Sequence, residues 1–201
     1  MGDGQPHSLL TTVVDLDGTL VHCNTLHVYL RLGLKMAAWY RRVGIAALLI
    51  ARRLRLISHE RMKYPALRLA GQSPRLRERF VAEVKSQINS DVVAFIQQRS
   101  HVGDTILVAT AAADFYVPWI CDYPYVASPW GGPDLRGERK AECVHKMLAE
   151  RKSGIYAVLT DNCSDLPLCR MAREQGAAVL LVNPNERSAA AFARESFTTR
   201  L

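Results

Sequence analysis

Hydrophobic and polar positions follow two rhythms along this chain. Residues 9–14 read Leu-Leu-Thr-Thr-Val-Val, an apolar, β-branched run suited to a strand buried on both faces of a parallel sheet. Similar runs recur at 105–109, 155–159 and 178–182, with a shorter one at 125–127. Between them the spacing turns helical: over 91–99, from 114 to about 121, over 138–151 and over 164–175. A loop is expected at Pro129-Trp130-Gly131-Gly132-Pro133, and a short last helix after Asn183-Pro184-Asn185. Strands alternating with helices imply an α/β fold built on a doubly wound parallel sheet.

One stretch departs from that alternation. From about Thr25 to Gln87 the pattern is helical almost throughout. Ser58 is placed to cap a helix, with Arg61 where a capping box prefers Glu. Gly71-Gln72-Ser73-Pro74 is a break, after which Ser73 caps and Pro74 enters the first turn of the next helix. The expected organisation is an α/β core over 9–22 and 89–195, with an all-helical insert over 23–88 after the first strand. Within the insert, residues 43–51 are apolar on all sides and flanked by Arg41-Arg42 and Arg52-Arg53. That run is too short to span a bilayer, which needs about 20 residues. It reads either as a buried helix of the insert or as one lying in a membrane interface, held by basic flanks on anionic lipid. Trp39, Tyr40 and Tyr64 are expected in the core of the insert.

Composition narrows the class. The 201 residues, 49% hydrophobic and 22% charged, suit one compact domain carrying an inserted subdomain. No internal repeat or low-complexity tract is visible. The five cysteines (Cys23, Cys121, Cys143, Cys163, Cys169) are odd in number and contain no CxxC, which fits buried thiols in a reducing cytoplasm better than disulfides or a zinc site. Residues 1–8 lack the basic-then-apolar order of a signal peptide and read as a loose lead-in, native or left from expression. The net charge of +7 is uneven: from Arg31 to Arg99 fifteen Lys/Arg face four Asp/Glu, and the remainder is mildly acidic. That asymmetry points to an anionic substrate or partner near the insert, with solvated helix faces as the plain alternative.

The candidate chemistry gathers at strand ends, where open α/β sheets bind their ligands. The first strand runs into Asp15 and Asp17, and Gly18 lets the chain turn there. Carboxylates this close raise each other's pKa unless a cation sits between them. Thr110 follows the second strand, Asp161 and Asp165 follow a later one, and Lys140 opens a helix between them. Each alone has an ordinary reading: an Asp-Gly turn, a strand-end threonine, a solvated lysine, helix-capping aspartates. Jointly they suggest metal-assisted phosphoryl transfer.

In residue type and order these positions resemble the haloacid dehalogenase superfamily, in its phosphoserine-phosphatase-like branch. The first motif is Asp15-Leu16-Asp17-Gly18-Thr19, the second ends at Thr110, the third is Lys140, and the fourth is Asp161-Asn162-Cys163-Ser164-Asp165-Leu166-Pro167. The resemblance spans about residues 9–183 and implies a Rossmann-like core with a helical cap. It also implies Mg²⁺, held by the carboxylates of Asp15 and Asp161 and the main-chain carbonyl of Asp17. Asp15 would attack phosphorus to give an aspartyl-phosphate, and Asp17 would serve as general acid and then base. Thr110, Ala111 and nearby amides at a helix N-terminus would hold the phosphate, with Lys140 offsetting charge. Asp165 would orient Lys140 or a metal-bound water, with Asn162 in support. The superfamily's true dehalogenases and transport ATPases lack an acid at the position of Asp17, so its presence implies phosphate-ester chemistry.

The substrate is expected to be a small or lipid-linked phosphate ester. Phosphoserine phosphatases carry a Glu, just after the first motif, that pairs with the substrate ammonium. The corresponding residue here is about Asn24, which weighs against phosphoserine. His22 and Asn24 are candidate specificity residues; His22 and His27 either touch substrate or are ordinary residues of the cap junction. The apolar, Arg-flanked stretch resembles the layout of the bacterial phosphatidylglycerophosphate phosphatases, which implies peripheral contact with anionic lipid at the inner face of the membrane. Two rivals are a non-catalytic phosphate-binding fold, disfavoured by the intact acids, and a nucleic-acid module. The latter is disfavoured because aromatic and basic residues do not interleave.

Overall fold

A computed structural model describes residues 10–201. The reading of residues 1–8 as a lead-in lies outside the described residues. Five strands form one parallel sheet: β1 (Leu10–Val14), β2 (Thr105–Ala113), β3 (Tyr125–Ser128), β4 (Gly154–Thr160) and β5 (Ala178–Leu181), in the order β3-β2-β1-β4-β5. The order reverses at β1, so the chain leaves the sheet on either side of it, and a crevice opens at the carboxyl ends of β1, β2 and β4. Alternation along the strands divides the core: Val13 points into one hydrophobic cluster and Val14 into the other. Helices α6 (Glu138–Glu150), α7 (Leu166–Glu174) and α8 (Glu186–Arg194) cover the first face, and α5 (Ser90–His101) packs on the second.

Between β1 and α5 the chain forms four helices: α1 (Thr25–Met36), α2 (Trp39–Arg53), α3 (His59–Ala70) and α4 (Pro74–Lys85). Their starts follow the capping signals. Ser58 Oγ accepts from Arg61 N at 3.2 Å, and Ser73 Oγ accepts from Leu76 N at 3.3 Å with Pro74 in the first turn. Helices α1 and α3 touch at Gly33, where an added Cβ would lie 2.5 Å from that of Ala70. Tyr29 of α1 and Phe80 of α4 meet Tyr116, which follows β2, with ring centroids 5.1–5.6 Å apart. This aromatic cluster seats the insert on the core. The two chain passages between them run side by side: His22 N donates to Gln87 O at 2.8 Å, Asn89 N donates to Leu20 O at 3.0 Å, and Val21 bridges Ile88 antiparallel. Among the described residues no helix is long and apolar enough to cross a membrane.

The structure corrects four expectations. The helix expected from 114 to about 121 is only a 3₁₀ turn at Val117–Trp119, because Pro118 removes a donor and Tyr116 and Val117 are drawn into the core. Strand β2 runs on to Ala113, so Thr110 sits within it and no helix N-terminus follows that residue. The helix expected from 164 starts as a 3₁₀ turn at Cys163–Asp165 and becomes α7 only at Leu166. Finally, α2 is not a buried helix: of its fifteen residues only Ile45 is buried. Trp39 and Tyr40 stand in solvent, while Tyr64 is in the core as expected.

Candidate active site

The site is built at the crevice by the turn that ends β1. Gly18, with φ of 80°, folds the chain back so that Leu20 N donates to Asp15 O at 3.1 Å and Gly18 N to Val21 O at 2.8 Å. The same glycine lies against Asp161 at the end of β4: a Cβ at position 18 would sit 2.3 Å from Asp161 Oδ2. The first and fourth acidic segments thus touch through a residue that has no side chain. A cleft of about 290 Å³ opens there, lined by Asp15, Asp17, Asn24, Thr110, Lys140 and Asp161 among others.

Lys140, from the first turn of α6, is buried and donates to Asp15 Oδ1 at 2.8 Å and to Asp165 Oδ2 at 2.9 Å. Asp165 is buried as well and also accepts from Thr160 Oγ1 at 2.9 Å. It stands at the start of α7 without capping it by its side chain, so its carboxylate serves Lys140. Burial works against the Lys140 charge, but Asp15 and Asp165 outweigh it and hold the ammonium charged. Burial pushes the Asp15 carboxyl up to about 8 against the pull of Lys140. It also raises Asp17, against hydrogen bonds that include one from Thr25 N to Oδ1 at 2.8 Å. Asp161 is pushed up to about 6, again chiefly by burial. Its Oδ1 is buried without a hydrogen-bond partner among the described residues, which is costly unless something outside the protein satisfies it.

The β2 side supplies a cradle. Thr110 is buried, and its Oγ1 accepts from Ala112 N at 3.0 Å. The Ala111 carbonyl takes Ser128 Oγ at 2.9 Å and Lys63 Nζ at 2.7 Å. Lys63 comes from α3, is 1% exposed, and pairs with Asp134 at 2.6 Å. Lys63 thus ties the helical insert both to the loop after β3, through Asp134, and to the strand that carries Thr110, through the Ala111 carbonyl.

Every expected position except Asp165 lines the cleft, and Asp165 reaches it through Lys140. Asn162 Oδ1 accepts from Ser164 N at 3.0 Å and shapes the turn. Asn24 Oδ1 caps α1 by accepting from His27 N at 3.0 Å, so part of its polar group is spent on structure. His22 is exposed at the rim, and His27 lines a separate groove. Sequence reasoning missed Arg136, Ser164 and Cys23 in the lining. Arg136 lies in the loop just before α6, separated from it by Gly137, whose φ is 58°. Lys63 was missed too, although it interrupts the apolar stripe of α3 at the spacing of Leu67 and Ala70.

The comparisons with known proteins complete the picture. A family model described as haloacid dehalogenase-like hydrolase matches residues 12–170. The chain belongs to the haloacid dehalogenase-like hydrolases. Among solved structures it is similar to a protein of unknown function from Bordetella pertussis Tohama I, at 16% identity and a TM-score of 0.76, covering 96% of this chain and 99% of that one. It is also similar to a phosphoserine phosphohydrolase-like protein from Francisella tularensis subsp. tularensis SCHU S4, at 12% identity, TM-score 0.61, and 96% and 95% coverage. A substrate-bound phosphoserine phosphatase gives 13% identity, TM-score 0.61, and 98% and 94% coverage. At these identities the likeness is one of fold, a shared Rossmann-like α/β architecture. No curated protein matches.

Members of the haloacid dehalogenase-like hydrolases generally use Mg²⁺, so the donor set here is tested against that ion. Among the described residues no three His, Cys, Asp or Glu side chains converge as a ready metal site. The set implied by the resemblance needs only two carboxylates and a carbonyl, with water completing the shell. Asp15 and Asp161 supply hard oxygens in one cleft, and the orphaned Oδ1 of Asp161 is the kind of group a cation would satisfy. The residues present fit.

Proposed function

We propose that this hydrolase is a Mg²⁺-dependent phosphomonoesterase acting through an aspartyl-phosphate at Asp15, with its four-helix insert, residues 23–88, as a substrate-selecting cap. The observation that carries the reading is the convergence of Asp15, Thr110, Lys140 and Asp161, from four separate segments, on one cleft. Asp15, Asp161 and the Asp17 carbonyl would hold the cation, whose chemistry is to offset the charge of the phosphoryl group so that an anion can approach it. The Asp15 carboxylate forms a bond to phosphorus as the ester oxygen departs with a proton from Asp17. Asp17 then takes a proton from water, which attacks the same phosphorus and restores Asp15. Burial that raises Asp17 suits it to carry that proton. Thr110 and the Ala111 amide hold phosphate oxygens. Lys140, locked by Asp165, stabilises charge on both nucleophile and transferring group.

A groove favours an ester whose leaving group is partly apolar. About 690 Å³ in volume, it is lined by Leu30, Leu34 and Leu49 with Arg31, and shares Cys23 and Asn24 with the catalytic cleft. A phosphate held at Asp15 would direct an apolar or lipid tail into it, as in a phosphatidylglycerophosphate-type substrate. Five free cysteines accord with a reducing cytoplasmic setting.

The deciding experiment is a panel of soluble and lipid-linked phosphate esters assayed for phosphate release with Mg²⁺, beside Asp15→Asn. The wild type releases phosphate, EDTA abolishes it, and the variant retains its fold but loses activity by more than about a thousandfold. Equal turnover by the two proteins removes Asp15 as nucleophile.

A further inference from the structure

Helix α2 is built inside out. Six of the nine large hydrophobic side chains that the described residues expose lie on it or on the turn after it: Trp39, Tyr40, Val43, Ile50, Leu54 and Leu56. Exposed apolar surface gathered in this way marks an interaction face, whereas single exposed residues do not. The arrangement is regular. At about 100° per residue, Trp39, Val43, Ala47, Ile50 and Leu54 fall within a sector roughly 80° wide. Ile45, on the other side, is the buried contact with the insert. Trp39 is 76% exposed and Ile50 57%, so the stripe is open from one end of the helix to the other.

The charge around the stripe has one sign. Arg42 and Arg53 border it along one edge and Arg55 follows the helix end, while Arg41 and Arg52 stand on the opposite side; all five are exposed. From Gly18 to His59 the sequence holds seven Lys/Arg and no Asp or Glu. Arg42 spends donors on the carbonyls of Ala37 and Lys35 at 2.7 and 3.0 Å, which fixes where α1 hands over to α2.

We propose that the outer face of α2 docks on an anionic lipid bilayer, with the helix lying in the plane of the headgroups. An apolar stripe edged by arginines is the pattern of an interfacial helix. Trp39 and Tyr40 favour the headgroup depth, and arginine stems reach past apolar surface to keep their charges in water. Fifteen residues make a helix about 22 Å long, which lies along the surface and does not span it. A second copy is a poor occupant, because a twofold contact would set the arginines against themselves with no acid on α2 to pair them. Nucleic acid is a poor one as well, since the centre of the face is apolar. The inference is independent of the chemistry in the cleft.

The test is co-sedimentation of the full chain with vesicles of phosphatidylglycerol and phosphatidylcholine in equal parts, against phosphatidylcholine alone, with tryptophan emission recorded. The protein pellets with the anionic vesicles only, added salt releases it, and the emission shifts to the blue as Trp39 leaves water. The double variant Trp39→Ser/Ile50→Ser, and separately Arg53→Gln/Arg55→Gln, bind at least about tenfold more weakly. Both keep the wild-type melting temperature. Failure to pellet with anionic vesicles overturns the proposal, and so does equal binding to neutral ones. A dimer that Trp39→Ser/Ile50→Ser dissolves, without vesicle binding, also overturns it and assigns the face to a second copy.

Discussion

Lys140 holds Asp15 and Asp165 at 2.8 Å each, all three side chains withdrawn from solvent. Isolated charges at that depth are expensive, so the three stand or fall together. Gly18 is as exacting in a different way. Its φ of 80° already disfavours a side chain, and Asp161 occupies the space a Cβ would take. Gly18→Ala should therefore displace Asp161 more than it unsettles the fold. Phosphate release is expected to fall by at least about a hundredfold, against about 1–2 kcal/mol in urea denaturation. Full activity in that variant would show that Asp161 can be moved without harm. The acidic residues were legible because, although each alone could be a turn or capping aspartate, together they stand at the ends of apolar strands in a fixed order. Arg136 and Lys63 were not: a lone cation beside a glycine carries no pattern, and the break Lys63 makes in the apolar stripe of α3 gains meaning only once Asp134 is known as its partner.

Between elements, Lys63 of α3 reaches from the insert to the Ala111 carbonyl of β2 and to Asp134. Burial pushes the Lys63 ammonium down, and its bond to Asp134 pulls it back. The same ammonium fixes the Ala111 carbonyl, whose peptide plane also carries the Ala112 N–H that holds Thr110 Oγ1. Lys63→Met leaves Asp134 buried without its strongest partner and is expected to cost about 3 kcal/mol in chemical denaturation. Adding Asp134→Asn should recover much of that loss, because the double variant carries no orphaned charge. Strictly additive losses would show that the two residues do not act as a pair. The starts of the helices could be read from Ser58, Ser73 and Pro74, since capping is a local matter. The side α2 turns outward could not. Its apolar run has the composition of a buried helix, and only the placement of α1 and α3 decides which residues stay in water. Pro118 misled in the opposite sense: the apolar residues around it are held by core packing, not by a helical backbone.

For the molecule as a whole, order is concentrated at the centre of the sheet. Strand β1 lies between β2 and β4 with Val13 and Val14 fully buried, whereas α2 offers one buried side chain. Native-state hydrogen exchange is expected to follow that gradient, with amides of α2 opening more than about tenfold faster than those of β1 and β4. Uniform protection across both would contradict it. The sequence made the parallel sheet and the position of the insert readable, since both rest on long-range periodicity. The pairing of Val21 with Ile88 was hidden, because neither flank looks like a strand. That pairing has an evolutionary corollary. The detour from one flank to the other is a closed excursion that ends where it began. Whatever it contains can be lengthened, shortened or exchanged for another bundle while the strand order stays intact.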